Sequence, residues 1–237
     1  MRHRLITHWS KLMTSQQEYT AVIAGATGLI GEELVKVLLE DKNCKAVLAL
    51  SRRELPYRDK RLIQCLDPKL ELDTQHLPTL AQAPMYGFIA LGTTLKQAGS
   101  KEALADVDLH LVTKVAQQLK TVGVERLAVV SSIGASSTSL SHYLKCKGQM
   151  EDNLSALNFE HLSIVRPGPL EGLREEQRTN ELITSAVLKV IQPVMKGKLR
   201  NYRLIHGKTV AQAMLVAIQS DKKAQVLFSR DMERLVR

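Results

Sequence analysis

Short apolar runs alternate along the chain with longer stretches in which apolar residues recur every three or four positions. The short runs predict β-strands, and the periodic stretches predict amphipathic helices. The predicted strands cover residues 20–25, 45–50, 61–66, 86–92, 126–132 and 161–168, and the long helices cover residues 29–40, 101–121 and 141–157. Strands that are apolar throughout and alternate with helices are typical of a parallel sheet covered on both faces. The pattern therefore predicts an α/β fold with a doubly wound parallel sheet.

The pattern changes after Gly168, where residues 169–180 are polar and loop-like. The later predicted elements are helices over residues 180–196 and 209–220, a strand over residues 224–228, and a short terminal helix with Ser229 as its N-cap. Sheets of this kind bind ligands at the carboxyl ends of their strands. We therefore expect residues 169–237 to form a small substrate-binding region there.

A single domain over residues 19–237 accounts for the whole pattern, because 237 residues suit one α/β unit with a modest addition. Residues 1–18 show no apolar period and are expected to be an irregular extension, in which Met13 is an alternative start. The extension is positively charged but has no apolar core, which argues against a secretory signal peptide. The chain contains no run of about 18 apolar residues, so no membrane span is expected.

The composition narrows the classes of partner and compartment. The three cysteines form no C-x-x-C pair and the histidines lack H-x-x-x-H spacing, so neither a disulfide framework nor a metal site is expected. This cysteine usage is typical of a reducing compartment, and we expect a cytoplasmic protein. The net charge of +9 is spread along a chain with 4% aromatic residues, which argues against nucleic-acid binding. The expected partner is a small molecule, with no membrane attachment, and the expected assembly is a monomer or a homodimer.

Three glycines at intervals of three residues, Gly25, Gly28 and Gly31, lie between the first predicted strand and the first predicted helix. A G-x-x-G-x-x-G motif in this context is typical of a dinucleotide-binding turn. Gly25 would allow a tight turn, Gly28 would let the backbone approach a pyrophosphate, and Gly31 would let the helix pack closely on the strand. The helix N-terminus would bind the phosphates. The predicted contacts also include Thr27, Leu29 and Ile30. The alternative is a turn with only a structural role.

The end of the second predicted strand indicates which dinucleotide is preferred. Sites selective for NAD usually carry a carboxylate there, which binds the ribose 2′-hydroxyl. This chain has Ser51, Arg52 and Arg53 instead, and paired guanidinium hydrogen bonds suit a 2′-phosphate. The sequence therefore predicts NADP(H), with solvated loop arginines as the alternative. Asp67, after the third strand, is either an acceptor for the adenine amino group or a turn residue.

Tyr143 and Lys147 are four residues apart in the predicted helix over residues 141–157, so they share one helix face. An ammonium beside a phenol stabilises the phenolate and lowers the barrier to proton exchange with a substrate oxygen. The lysine can also bond the nicotinamide ribose. Ser131 and Ser132 end the fifth predicted strand, where a hydroxyl can hold a substrate carbonyl or alcohol oxygen. The alternative is a core tyrosine beside a solvated lysine.

These motifs together resemble the short-chain dehydrogenase/reductase superfamily. The segments that carry the resemblance are GATGLIG (25–31), SRR (51–53), LGTT (91–94), SSIGA (131–135), YLKCK (143–147) and VRPG (165–168). More narrowly, the LGTTLKQAG segment (91–99) and the YL-x-x-KG element (143–148) are similar to those of atypical members related to the Tat-interactive oxidoreductase.

The resemblance implies a Rossmann-type fold, NADPH binding and a catalytic Ser–Tyr–Lys set. By motif, these roles fall on Ser132, Tyr143 and Lys147, with Ser131 as the alternative serine. The resemblance also implies a cofactor lining by Leu91, Gly92 and Thr93, with Pro167 and Gly168 near the nicotinamide. One departure from the pattern is Asp108, which stands where standard members have an asparagine on the helix after strand four.

The sequence therefore predicts an NADP(H)-dependent oxidoreductase that transfers a hydride to or from a carbonyl or alcohol substrate. The alternative is an NADPH-binding sensor or regulatory protein with little turnover, since a fold does not determine a function. The departure at Asp108 favours the sensor, and the complete set of Ser132, Tyr143 and Lys147 favours the enzyme.

Overall fold

A seven-stranded parallel sheet forms the centre of the molecule. The computed structural model describes residues 17–72, 83–171 and 197–237. The strands of this sheet are β1 (Tyr19–Ala24), β2 (Cys44–Ser51), β3 (Leu62–Leu66), β4 (Met85–Ile89), β5 (Arg126–Val130), β6 (His161–Arg166) and β9 (Ala224–Phe228). Their order across the sheet is β3-β2-β1-β4-β5-β6-β9, and every neighbouring pair is parallel. Two short strands, β7 (Leu170–Glu171) and β8 (Ile205–His206), form a separate parallel pair.

Helices connect the strands and cover both faces of the sheet. They are α1 (Leu29–Glu40), α2 (Leu95–Ala98), α3 (Lys101–Ala105), α4 (Val112–Thr121), α5 (His142–Ala156), α6 (Gly207–Ile218) and α7 (Ser229–Leu235). A π-helical segment, Asp106–Leu111, joins α3 to α4, and a 3-10 helix, Gly197–Tyr202, precedes β8. The prediction of an α/β fold with a doubly wound parallel sheet is confirmed. Within the described ranges, no helix has the length and apolar character needed to cross a membrane.

Two apolar clusters, one on each face of the sheet, make up the core. Leu34 of α1 and Met214 of α6 belong to the first cluster, together with Ile23 of β1. Leu119 of α4 belongs to the second cluster, together with Val22 of β1. Because neighbouring residues of one strand enter opposite clusters, the strand has to be apolar at every position.

The predicted elements within the described ranges are present, with ends that differ by up to three residues. The long helix predicted over residues 101–121 is interrupted by the π-helical segment, which places one extra residue in a turn. The predicted helix over residues 180–196 lies outside the described residues. So do most of the extension, residues 1–18, and most of the loop over residues 169–180.

Ser229 is not the N-cap of the last helix, as the sequence predicted. Helix α7 begins at Ser229 itself, and the Phe228 N–H donates to Asp231 Oδ2 at 3.1 Å. Ser229 is fully buried, and its Oγ accepts a hydrogen bond from the Gly168 N–H at 2.8 Å. The hydroxyl thus fastens the terminal helix to the segment after β6, a tertiary contact that a local capping rule does not contain.

The strand order reverses beside β1, since β2 lies on one side of it and β4 on the other. In sheets of this kind, ligands bind outside the carboxyl ends of the strands at this switch point. The loops that follow β1 and β4 touch there, because a Cβ on Gly25 would lie 2.6 Å from the Ala90 carbonyl carbon. The fold therefore brings the glycine motif and the segment after β4 to one edge of the sheet.

The fold also contains a buried histidine, and its protonation in acid should destabilise the protein. His161 is 1% exposed, and its Nε2 lies 2.6 Å from Ser163 Oγ. Burial, followed by the Arg126 guanidinium, lowers the pKa of His161 below its ordinary value. The unfolded chain therefore binds a proton at this residue more readily than the folded chain does. We expect the free energy of unfolding to fall as the pH drops below about 6.5.

The check is urea unfolding at about pH 7.5 and about pH 5.5 of the wild type and the His161→Asn variant. The drop in stability between the two pH values should be smaller in His161→Asn than in the wild type. The matched control is His110→Asn, because His110 is exposed. An equal drop in all three proteins would contradict the assignment of acid sensitivity to His161.

Candidate functional site

The turn between β1 and α1 has a left-handed backbone at Gly25, whose φ is +90°. The Gly28 N–H donates to the Gly25 carbonyl oxygen at 3.1 Å and closes the turn. A Cβ on Gly31 would lie 2.0 Å from the same carbonyl oxygen, so only glycine lets α1 approach the turn this closely. Gly25 and Gly31 are therefore required by the protein's own backbone.

Gly28 differs, because no contact within the described part of the chain requires it to be glycine. Its φ of −89° suits any residue, and a Cβ would lie 3.4 Å from the Gly25 carbonyl oxygen, an ordinary contact. The residue stands at the N-cap position of α1, where unpaired N–H groups and the helix dipole attract anions. A glycine here leaves the space beside the helix N-terminus open, which fits the close approach of a pyrophosphate.

The three predicted contact residues between the glycines, Thr27, Leu29 and Ile30, differ in exposure. Ile30 is buried in the core, so only its backbone is available to a ligand. Thr27 and Leu29 are half-buried. Leu29 also contacts the start of α6, since a Cβ on Gly207 would lie 3.3 Å from the Leu29 carbonyl oxygen.

Ser51, Arg52 and Arg53 lie where β2 ends, at the edge of the sheet that holds the glycine turn. Ser51 is buried and its Oγ donates to the Arg53 carbonyl oxygen at 2.8 Å, so this hydroxyl is used to shape the turn. Arg52 and Arg53 are exposed, and neither side chain pairs with any residue in the described part of the chain. In contrast, Arg61 donates to the carbonyl oxygens of Asp41 and Cys44, each at 3.2 Å. Arg52 and Arg53 are thus available to a phosphate.

Asp67 is a turn residue in this structure. Its Oδ1 accepts from the Lys69 N–H at 2.8 Å and from the Glu71 N–H at 2.9 Å. These bonds, that of Glu71 first, hold the pKa of Asp67 below its ordinary value. The Asp67 N–H also donates to the Ser51 carbonyl oxygen at 3.0 Å, so the turn lies beside the end of β2. Contact with an adenine amino group stays a prediction.

The segment after β4 carries Leu91, Gly92 and Thr93 from the sheet edge toward helix α3. Leu91 packs against the second core cluster, and Gly92 is exposed. Two caps shape the chain that follows: Thr94 Oγ1 accepts from the Gln97 N–H at 3.2 Å, and Ser100 Oγ accepts from the Ala103 N–H at 3.0 Å. These caps start α2 and α3, and α3 leads into the π-helical segment.

The π-helical segment places Asp108 in the interior, where it is 0% exposed. Its Oδ2 accepts from the Thr93 N–H at 2.9 Å, and its Oδ1 lies 2.7 Å from Lys147 Nζ. Lys147 is also buried, and its ammonium lies 3.5 Å from the Val130 carbonyl oxygen. A Cβ on Gly92 would lie 3.3 Å from Asp108 Oδ1 and 3.7 Å from Lys147 Nζ. The predicted alternative of a solvated lysine is therefore wrong.

Tyr143 lies one turn before Lys147 on α5 and is half-buried. Its hydroxyl has no hydrogen-bond partner among the residues that the structure describes. Ser132 is also half-buried and makes one local bond, in which its Oγ donates to the Ile133 carbonyl oxygen at 3.3 Å. Both hydroxyl groups are available to a substrate oxygen at the carboxyl edge of the sheet.

Ser131 is engaged elsewhere, which separates the two candidate serines. It is 3% exposed, and its Oγ donates to Glu151 Oε1. Glu151 in turn accepts from Arg166, whose Nε lies 2.9 Å from Oε1 and whose Nη2 bonds Oε2. Of the two serines, Ser132 has the freer hydroxyl.

The cluster of buried Ser131 and Glu151 with half-buried Arg166 was missed by the sequence analysis. A signal was available, because Tyr143, Lys147 and Glu151 follow one another at intervals of four and share one face of α5. The sequence thus placed Glu151 on the same helix face as the proposed catalytic pair. The cluster ties α5 to the ends of β5 and β6.

A close approach between α5 and the loop after β5 positions Ser132 relative to the helix. A Cβ on Gly148 would lie 2.1 Å from the Ser136 carbonyl carbon, so only glycine allows this approach. The Ser136 N–H donates to the Leu144 carbonyl oxygen at 3.1 Å, and the loop turns at Gly134, whose φ is +81°. The glycine of the YL-x-x-KG element thus has a packing role.

Pro167 and Gly168 are buried where β6 ends. The Pro167 carbonyl oxygen accepts from the Ile133 N–H at 3.1 Å, which joins this end to the loop that carries Ser132. A Cβ on Gly168 would lie 2.5 Å from the Asn201 carbonyl oxygen, so the end of the 197–202 helix packs directly on it. A place near a nicotinamide stays a prediction for both residues.

His142 has a structural contact, with its Nε2 2.9 Å from the Lys101 carbonyl oxygen. The ring links the start of α5 to the start of α3. Within the three described ranges, no group of His, Cys, Asp and Glu side chains could hold a metal ion.

The family model described as HIM1 matches residues 58–198, which is more than half of the chain. The curated relative "Protein FMP52, mitochondrial" of Debaryomyces hansenii is 36% identical over 163 residues, which cover 67% of this chain and 70% of that protein. The protein of the same name from Coccidioides immitis is 32% identical over 238 residues, covering 92% of this chain and 96% of that protein.

The fold is shared with a solved structure described as "MoeE5 in complex with UDP-glucose and NAD". The TM-score is 0.64 at 16% sequence identity, and the match covers 92% of this chain and 79% of that chain. A likeness at this identity establishes the Rossmann-type fold, which confirms that expectation. None of these matches is to a protein named as a member of the Tat-interactive subfamily.

The prediction of a cytoplasmic location is wrong. The matched relatives from Debaryomyces hansenii, Coccidioides immitis and Saccharomyces cerevisiae are all named as mitochondrial proteins. Cysteine usage reports only whether a compartment is reducing, so it did not distinguish the cytoplasm from other reducing compartments.

Proposed function

The chain belongs to the HIM1 family, and we propose that it is an NADP(H)-dependent oxidoreductase of the short-chain dehydrogenase/reductase type. The reaction would be hydride transfer between the cofactor and a carbonyl or alcohol substrate. We include in the proposal the kinship with the Tat-interactive subfamily, which the LGTT and YL-x-x-KG elements support. The names of the relatives support a mitochondrial location.

One juxtaposition carries the proposal. The glycine turn after β1 packs against Ala90 at the end of β4, and two residues later Gly92 lies against Asp108 and Lys147. A ligand whose phosphates sit at the N-terminus of α1 can therefore extend along residues 90–92 to the buried lysine. A dinucleotide has this extended form, with phosphates in the middle and a ribose on either side.

The residues of the chain have separate roles in this reaction. Bound NADPH would supply the hydride. Tyr143, whose hydroxyl has no partner in the described ranges, would donate the proton to the carbonyl oxygen. Ser132 Oγ would donate a hydrogen bond to the same oxygen and orient it. Lys147 would hold the nicotinamide ribose from a fixed position beside Val130.

The substrate region is proposed to include residues 169–237. The described parts of this region pack on the carboxyl end of β6, through Gly168, Asn201 and Ser229. An unidentified small carbonyl or alcohol would enter from this side.

A second candidate function has one observation in its favour. Lys147 is paired with Asp108, and a lysine whose charge is neutralised is less able to stabilise a phenolate. This favours an NADPH-binding sensor with little turnover. Binding of NADPH without oxidation of NADPH by any carbonyl compound of a broad panel would identify the sensor.

The first test of the proposed function is titration of the purified protein with NADPH and with NADH, followed by calorimetry. We expect NADPH to bind more tightly than NADH. Arg52→Glu should weaken NADPH binding at least about tenfold, because a guanidinium–phosphate pair is replaced by repulsion. NADH should bind the wild type and the variant with similar affinity.

The matched control is Lys42→Glu, which reverses an exposed charge before β2, at the opposite edge of the sheet. Equal loss of NADPH affinity in both variants would mean that only the overall charge matters. If the wild type binds neither cofactor, the glycine turn is structural and the proposed function is wrong.

A further inference from the structure

We propose that Asp108 is a positioning residue that neutralises Lys147, so that the nicotinamide end of the site carries no net charge. This inference rests on the proposed function and describes how the site differs from one with an unpaired lysine. Lys147 then acts as a fixed hydrogen-bond donor to the ribose.

The ion pair is closed to solvent on both sides. The Lys147 and Asp108 side chains are 3% and 0% exposed, and their charged atoms are 2.7 Å apart. Charges that are buried together are screened much less by water and salt than charges at a surface. The opposite charges therefore cancel within the site.

Three features of the chain hold Asp108 in this position. The π-helical segment Asp106–Leu111 turns the residue inward, and the Thr93 N–H bonds its second oxygen at 2.9 Å. Gly92 leaves room, because a Cβ there would lie 3.3 Å from Oδ1. Thr93 and Gly92 belong to the segment proposed to line the cofactor, so the carboxylate lies directly behind that lining.

The neutral pair has a consequence for Tyr143, which precedes Lys147 by one turn of α5. An unpaired ammonium beside Tyr143 would stabilise negative charge on the phenol oxygen, and the Asp108 carboxylate offsets that effect. The pair therefore reduces the charge stabilisation available to Tyr143 during proton exchange with a substrate oxygen in either direction.

The two redox forms of the cofactor provide a direct probe of the charge, because the nicotinamide ring is positive in NADP⁺ and neutral in NADPH. We would measure the ratio of the Kd for NADP⁺ to the Kd for NADPH by calorimetry. Asp108→Asn leaves a positive charge and should raise the ratio about tenfold. Lys147→Met leaves a negative charge and should lower it about tenfold. The double variant is neutral again and should return to the wild-type ratio.

The matched control is Asp106→Asn, since Asp106 is exposed on the same π-helical segment. Its ratio should equal that of the wild type. Ratios that stay within about twofold of the wild type in both single variants would overturn the inference, even where NADPH still binds. If one single variant fails to fold, the other is compared with the double variant, and the absence of a shift between them overturns the inference. A wild type that binds neither redox form would instead refute the proposed function.

Discussion

Tyr143→Phe should lower kcat about a thousandfold, while the Kd for NADPH stays within about twofold of the wild type. The phenol is proposed to give its proton to the substrate oxygen, and phenylalanine keeps the ring but has no proton to give. Because the hydroxyl has no partner in the described part of the chain, its removal leaves no buried polar group unpaired. Stability should therefore change little.

The measurements are NADPH oxidation with a carbonyl compound that supports wild-type turnover, NADPH titration, and thermal unfolding. Tyr202→Phe is the matched control, because Tyr202 is 49% exposed and belongs to the 197–202 helix. Loss of NADPH binding in Tyr143→Phe would contradict the assigned role, and so would wild-type turnover.

Two glycines of the same turn should respond differently to the same substitution. Gly31→Ala should destabilise the protein by about 3 kcal/mol or more, because a Cβ would lie 2.0 Å from a backbone oxygen and the helix would have to move. Gly28→Ala should change stability by less than about 1 kcal/mol, because its Cβ meets only an ordinary contact at 3.4 Å. Gly28→Ala should nevertheless weaken NADPH binding at least about tenfold, because the methyl group would occupy the space of the pyrophosphate.

Urea unfolding and NADPH titration of the two variants check both parts of this prediction. Each variant serves as the control for the other, since the added group is the same. Wild-type NADPH affinity in Gly28→Ala would mean that no phosphate approaches this residue. Equal loss of stability in both variants would contradict the packing described for Gly31.

The residues that the family model matches and the residues of the glycine turn lie in different parts of the chain. The HIM1 match covers residues 58–198, which include Asp108, Ser132, Tyr143 and Lys147 but not the turn at Gly25. The match to the Coccidioides immitis relative extends over 92% of the chain. The residues proposed to act in the reaction therefore lie inside the region that the family model matches. The variants above test whether they act on a bound cofactor.

The local features of this protein could be read from its residues alone. The continuous apolar strands predicted the parallel sheet, because burial on both faces imposes that pattern. The glycine spacing predicted the turn, since a φ of +90° and a 2.0 Å approach both demand glycine. The four-residue step from Tyr143 to Lys147 predicted a shared face, because helical geometry depends only on nearby residues.

Contacts between distant residues were decided by the tertiary structure. Nothing in the local sequence shows that Asp108 meets Lys147, that Glu151 engages Ser131 and leaves Ser132 freer, or that the Ser229 hydroxyl bonds the segment after β6. Each pairing requires elements that come together only when the sheet is assembled and the π-helical segment has formed. The physical reason is that the partner of a buried charge or hydroxyl is determined by three-dimensional packing, whereas backbone conformation and periodicity are determined by neighbouring residues.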